Sequence, residues 1–341
     1  MNEEQLKDIL SRLKDISILV VGDFFLDKYL KIDPRKSELS IETNLEAYQV
    51  VHKQSNPGAA GTVTNNLTSL GVGNVIALGF VGDDGEGYDL LKSLNCSGVN
   101  TEYLIKTKER VTPTYTKPVI MENSSVREIN RLDIKNWTPT PGFLENKIIK
   151  NLYCLAQEAD AVIALDQVAE DNCGVITEKV RRALSELTNN NKDLIVYSDS
   201  RARISMFDNV IIKCNHYEAV KAALAGGQPE PEEEMIIDSG KILSKKTGKP
   251  VFITYGGKGQ LVFDSNSVEK VPAVPAEGPF DKCGAGDATT SGIVSALCCK
   301  SSITDAALLG NIISSITIQQ LGTTGKASPE QVIERFKEAF K

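Results

Sequence analysis

The sequence predicts an α/β sandwich: a mostly parallel sheet covered by helices on both faces, with a small β-sheet beside it. Three observations predict it. Short Val/Ile-rich runs recur along the chain, each followed by apolar residues at helical spacing. The runs are apolar throughout rather than alternating, as strands buried on both faces must be. Two stretches break this rhythm with strand patterns alone.

In chain order, Leu6, Ile9, Leu10 and Leu13 give residues 1–14 one apolar helical face, without the uninterrupted apolar core of a signal peptide. Strand runs are expected at 17–21, 75–81, 161–165, 194–198, 210–212 and 251–255. Helices are expected at 60–70, 88–94, 144–157, 175–187, 218–224, 235–246 and 288–297, with 305–321 and 329–340 closing the chain. The acidic cluster at 230–234 reads as a solvated loop or a helix start. The β-only stretches are about 28–56 and about 114–133. The second reads as a hairpin, 115–121 and 126–132, turning at 123–125. Both would form a lid beside a single domain spanning 1–341, or be two ordinary surface hairpins. A lid face carrying Tyr48, Val50, Val51 and Ile120 could pair with its copy in a homodimer.

Composition removes several functions. Of 341 residues 41% are hydrophobic, enough for a substantial core. The net charge is −7, from 45 acidic and 38 basic residues, and no Lys/Arg run exceeds two, so neither nucleic acid nor an anionic membrane is an expected partner. No stretch approaches the roughly 18 apolar residues of a membrane span. Seven cysteines include no Cys-x-x-Cys pair, and the only histidines are His52 and His216, so zinc-ligand spacing is missing. A reduced, cytoplasmic protein is expected.

The chemistry concentrates at Asp281-Lys282-Cys283-Gly284-Ala285-Gly286-Asp287, immediately before a helix. Backbone N–H groups at a helix start cradle anions, and glycines let a ligand approach them. Asp287 reads either as a helix cap or as a general base beside that cradle. The second glycine cluster, Thr254-Tyr255-Gly256-Gly257-Lys258-Gly259, follows a strand and suits either nucleotide phosphates or a tight turn into a returning strand at 260–264. Walker A, protein-kinase and GxGxxG patterns are absent.

These residues resemble the ribokinase-like (PfkB) carbohydrate kinase family. Gly284-Ala285-Gly286-Asp287 with Asp281 looks like its signature. Pro57-Gly58-Ala59-Ala60-Gly61-Thr62, Val81-Gly82-Asp83-Asp84-Gly85-Glu86-Gly87 and Asn215-His216-Tyr217-Glu218 match other family segments in order, over about residues 18–328. Within the family the heptose-phosphate kinases of ADP-heptose synthesis are most similar, on Val20-Val21-Gly22-Asp23, Asp27, Tyr29, Pro113-Thr114, Thr116-Lys117, Arg131-Leu132-Asp133 and Gln320-Leu321-Gly322-Thr323. No His-x-Gly-His is present, so the nucleotidyltransferase step that some members add is not expected.

The resemblance implies a ribokinase-like three-layer α/β/α fold and ATP- and Mg²⁺-dependent transfer of a phosphoryl group to a hydroxyl of a sugar or sugar phosphate. It makes Asp287 the base and the amides of Gly284, Ala285 and Gly286 the anion hole. Asn215 and Glu218 would approach the magnesium-bound phosphates through water. Thr254, Gly256, Gly257, Gly259 and Asn311 would line the nucleotide site, and Asp27, Gly58, Thr62 and Arg131 the acceptor site. Asp281 would mark a K⁺ site or simply form a turn. Without the resemblance, Glu218 reads as an exposed residue at a helix start, Asn311 as a polar residue with a local hydrogen bond, Arg131 as an exposed arginine and Asp27 as a loop acid paired with Lys28. Thr62, Cys283, the stretch 117–119 and the stretch 165–169 depart from the family pattern, the first and last two on the acceptor side. Other acceptors (fructose phosphate, ribose, a nucleoside) or a non-catalytic sensor are the alternatives.

Overall fold

A computed structural model describes residues 1–122, 125–224, 230–265 and 267–340. Its centre is a nine-stranded sheet with spatial order Ser267–Val271, Gln260–Asp264, Val251–Thr254, Ile211–Asn215, Ile195–Ser200, Ala161–Asp166, Ser17–Gly22, Asn74–Gly82 and Leu104–Thr107. Pairing is parallel except where Gln260–Asp264 returns against Val251–Thr254 and Ser267–Val271 returns again. The expected returning strand therefore exists, and the glycine cluster before it is a turn. Strands at 104–107 and 267–271 were not foreseen. One is short, and the other, Ser-Val-Glu-Lys-Val, exposes all but its last residue.

Helices cover both faces and divide the interior into two apolar cores. Against one face lie Glu3–Arg12, Ala60–Ser69, Gly85–Cys96, Ala285–Cys298, Ile303–Thr317 and Pro329–Ala339. Against the other lie Gly142–Leu155, Glu178–Asn190, His216–Leu224 and Glu233–Thr247. Three layers follow. The acidic cluster proves to be a helix start: Glu232 is the flanking residue, and Glu233 and Glu234 occupy a first turn where the helix dipole favours negative charge.

A second sheet stands beside this body, ordered Leu132–Ile134, Thr114–Glu122, Phe24–Ile32 and Val50–Ala59, with Ser125–Glu128 also paired to Thr114–Glu122. Its inner pair, Phe24–Ile32 with Thr114–Glu122, is parallel, and its other pairs are antiparallel. Only Asp23 separates Phe24–Ile32 from the central strand Ser17–Gly22, so this strand begins before the β-only stretch expected from about residue 28. The expected hairpin return is split into two pieces, because register changes between Glu128, opposite Val119, and Leu132, opposite Thr116. Residues 123 and 124 of its expected turn lie outside the described residues.

The central strands dictate where a ligand can bind. From Ser17–Gly22 the chain winds outward to Asn74–Gly82 and Leu104–Thr107, then returns to Ala161–Asp166 on the other side of Ser17–Gly22 and winds the opposite way. Such a reversal opens a crevice at the carboxyl ends of the two strands that flank it. Asp23 and Asp166 stand at those ends, and the second sheet rises from the same edge.

Candidate active site

The turn before helix Ala285–Cys298 is braced from two sides. Asp281 accepts from Cys283 N–H at 3.0 Å and from Gly322 N–H at 3.1 Å, which makes it a turn-forming residue tied to the loop after Ile303–Thr317. Gly284 takes φ +77°, a left-handed conformation that glycine adopts without penalty, and a Cβ there would press on the Thr62 methyl at 3.2 Å. Gly284 itself flanks the helix, and Asp287 sits in the first turn without a side-chain capping bond. The cap reading of Asp287 therefore gives way: its carboxylate lines a cavity of about 210 Å³. Ala285 N–H is already committed to the Lys282 carbonyl at 3.2 Å. Of the three amides expected to hold an anion, Gly284 and Gly286 have no acceptor among the described residues.

Beneath this turn lies a buried ion pair. Lys213, on strand Ile211–Asn215, bonds Asp199 Oδ2 at 2.5 Å and donates to the Gly286 carbonyl at 3.1 Å. Asp287 is pushed up to about 7, first by burial and next by the Asp199 carboxylate, with Lys213 opposing. A carboxyl poised near neutrality can take a hydroxyl proton and release it again.

Across the cavity, Asp27 is 7% exposed and pairs with Lys117 Nζ at 2.9 Å, which also donates to Tyr29 Oη at 3.2 Å. Burial draws the Lys117 pKa down, and the Asp27 carboxylate more than reverses this, so it ends above the usual value. Lys28, the partner expected from the sequence, bonds Glu86 instead at 3.0 Å, because alternate strand residues face opposite ways. Gly58 permits a close approach, but to Asp27: a Cβ would lie 2.4 Å from its Oδ2. Thr62 lines the cavity with its hydroxyl bonded to the Pro57 carbonyl at 3.3 Å. Arg131 also lines it, stacked 4.5 Å over Tyr115 and paired with Asp133 at 3.1 Å.

At the far strand ends, Asn215 and Glu218 hold each other. Asn215 N–H donates to Glu218 Oε2 at 2.8 Å, and Glu218 N–H donates to Asn215 Oδ1 at 2.9 Å. Glu218 is half-buried rather than exposed, and burial, then Asp199, raises its pKa. Lys213 feels the fields of both Asp287 and Glu218, which raise its proton affinity. Thr254 donates to the Cys214 carbonyl at 3.4 Å. Gly256 and Gly257 border open space, whereas a Cβ at Gly259 would meet the Val271 carbonyl at 2.1 Å, so Gly259 serves the turn. Asn311 departs from expectation. It is buried, donates to the Val271 and Pro272 carbonyls at 3.3 and 2.9 Å, and accepts from Gln260 at 2.7 Å. Its amide stitches helix to sheet over long sequence distances, and both its donors are spent.

Sequence reasoning missed a part of the wall. Arg201 lines the cavity together with Asp287, beside Gln167 of the stretch 165–169 already placed on the acceptor side. Behind them Asp23, Asp166 and Arg203 are buried. The one available signal was Asp199-Ser200-Arg201 at the carboxyl end of a buried strand. The partnerships behind the wall span up to 152 residues, which no local pattern reveals.

Fold and cavity together define an α/β protein with a carboxylate-lined cleft at the switch point of its parallel sheet. Residues 17–331 match the pfkB family carbohydrate kinase pattern, and the chain belongs to that family. It is 25% identical over 331 residues to the bifunctional protein HldE of Pelobacter propionicus and 25% identical over 324 residues to that of Helicobacter pylori, covering 97% and 92% of this chain. The chain spans 65% of the length of each of these relatives. In fold it is similar to phosphofructokinase-2 from Escherichia coli in complex with potassium (TM-score 0.74, 16% identity, 96% of this chain and 99% of that one). It is likewise similar to Arabidopsis thaliana ribokinase complexed with ribose and ATP (TM-score 0.70, 18% identity, 94% and 99%). The ribokinase-like fold expected from the sequence is the observed one. Among the described residues no helix is long and apolar enough to cross a membrane.

Proposed function

We propose that the chain transfers the γ-phosphoryl group of ATP to a hydroxyl of a sugar or sugar phosphate, with heptose 7-phosphate the first acceptor to test. The observation that carries this reading is Asp287, pushed up to about 7 in a cavity it shares with Asp27. Asp27 would orient the acceptor, Asp287 would take the proton of the attacking hydroxyl, and the Gly284 and Gly286 amides would receive the transferred charge. Thr254, Gly256 and Gly257 would border the ATP phosphates. The second sheet, from about 28–56 and 114–133, would act as a lid that excludes water.

Magnesium fits the donors at Asn215 and Glu218: each has an oxygen, and Glu218 Oε1 has no partner among the described residues. Both would hold it through water, as suits an ion that keeps several waters. When bound it neutralises phosphate charge. Asp281, with both carboxylate oxygens accepting backbone N–H groups, is assigned no cation here.

The test is ADP release from ATP and Mg²⁺ across heptose, hexose, pentose and nucleoside acceptors. Binding to ATP and sugars without turnover of any of them would favour a sensor. A base must be ionised to act, so kcat/KM should climb roughly tenfold per pH unit up to about pH 7 and then level off. A flat profile from about pH 5 to about pH 8 would count against Asp287 as that base.

A homodimer through the second sheet is part of the same proposal. Val50–Ala59 is an edge strand, and Tyr48, Val50 and Val51 beside or on it are exposed, as are Leu39 and Leu45. Exposed apolar edges invite pairing with another chain. Ile120, expected on that face, is instead buried. Light scattering should give twice 37.0 kDa, and Tyr48→Glu with Val51→Glu should halve it. A wild-type mass of one chain at tens of micromolar would refute the dimer.

A further inference from the structure

The cavity that holds Asp287 adjoins a smaller one, of about 30 Å³, under the second sheet. The two share Phe25, Tyr115, Gln167 and Arg201. Four cations line these spaces, and three are neutralised: Lys117 by Asp27 at 2.9 Å, Arg131 by Asp133 at 3.1 Å and Lys135 by Glu170 at 3.2 Å. The Arg201 side chain has no ion pair or hydrogen bond among the described residues. Its field nevertheless reaches Asp287, Glu218 and Tyr115, and lowers the proton affinity of each.

The backbone beneath Arg201 is held by buried charge. Arg201 N–H donates to the Asp166 carbonyl at 3.0 Å. The Asp166 carboxylate accepts from Ser200 Oγ at 2.7 Å and from Arg203 at 2.6 and 3.1 Å. Arg203 also donates to the Val168 and Ala169 carbonyls. Facing it, Asp23 takes the amides of Gln167, Val168 and Val175 at 2.8, 3.1 and 2.7 Å, and Gly174 is bare because a Cβ would lie 2.6 Å from Asp23 Oδ1. Burying three charged side chains costs free energy unless each is paired. Here nearly every such partner lies on the two segments that present Gln167 and Arg201. The network thus immobilises one wall of the cavity around a guanidinium that has no partner among the described residues.

We propose that Arg201 binds a phosphate ester carried by the acceptor carbohydrate, and so selects sugar phosphates over free sugars. This rests on the kinase reading above and deepens it. The planar guanidinium can meet two phosphate oxygens at once, and a wall fixed in advance loses little freedom on binding. The acceptor would then span the cavity, with its hydroxyl at Asp287 and Asp27 and its phosphate toward the second sheet.

The experiment compares wild type, Arg201→Ala and Arg201→Lys on paired acceptors: fructose with fructose 6-phosphate, ribose with ribose 5-phosphate, and heptose with heptose 7-phosphate. Turnover with ATP and Mg²⁺ is read together with calorimetric binding of ATP and of each acceptor. Wild type should prefer the phosphorylated member of a pair. Arg201→Ala should cut that preference about 10–100-fold, mainly through KM and acceptor binding, with the ATP Kd unmoved and partial recovery in Arg201→Lys. An equal loss of kcat on both members would overturn the proposal and assign Arg201 to the transferred phosphoryl group. A wild-type preference for free sugars would overturn it while leaving the kinase reading intact. Failure of wild type to turn over any member while still binding ATP would remove both.

Discussion

Asp287→Asn should lose kcat by about 10²–10⁴-fold while ATP binding stays within a factor of a few. The asymmetry follows from geometry. The carboxylate lines the cavity it shares with Asp27, while the groups expected to border the nucleotide, Thr254, Gly256 and Gly257, lie at the end of strand Val251–Thr254 and in the turn after it. Asparagine keeps the shape and the helix start, since Asp287 makes no capping bond to lose. What it removes is proton acceptance near pH 7, so the residual rate should also lose the climb up to about pH 7. The check is steady-state kinetics beside calorimetric ATP binding. Near-wild-type kcat in a folded variant would reject the assignment.

Lys213→Met should have the largest effect on stability. The ammonium is buried, bonded to Asp199 and to the Gly286 carbonyl, and within the fields of Asp287 and Glu218. Methionine fills similar volume but strands the Asp199 carboxylate, an uncompensated buried charge that costs about 3–5 kcal/mol. Urea unfolding measures this directly. Adding Asp199→Asn should return part of the stability, because the stranded charge is gone. Catalysis should respond separately. Lys213 holds the Asp287 proton affinity down, so its removal raises that affinity and moves the rising limb of kcat/KM to higher pH. An unshifted limb would uncouple Lys213 from Asp287.

The central strands and their helices were legible because burial on both faces leaves continuous Val/Ile runs, as at Leu19–Val20–Val21 and Ala161–Val162–Ile163. The turn at 284–287 was legible because its chemistry is local, with small residues and an acid at a helix start. Pairing was not. Asp27 lies beside Lys28 in the chain but faces Lys117 across a parallel strand pair, a contact set by register. Asn311 looked available to a ligand until two strands claimed its amide. Arg201 carried no motif, and its meaning comes from which neighbouring cations already have partners.

The bare α-carbon of Gly58 beside Asp27 has a consequence for how this cavity can drift over generations. With 2.4 Å between a hypothetical methyl and Asp27 Oδ2, a side chain at 58 must first turn that carboxylate, whose other oxygen, Oδ1, holds Lys117. A change at 58 is therefore felt at 27 and, through it, at 117. The three positions are inherited as a linked set, coupled through a single interatomic gap.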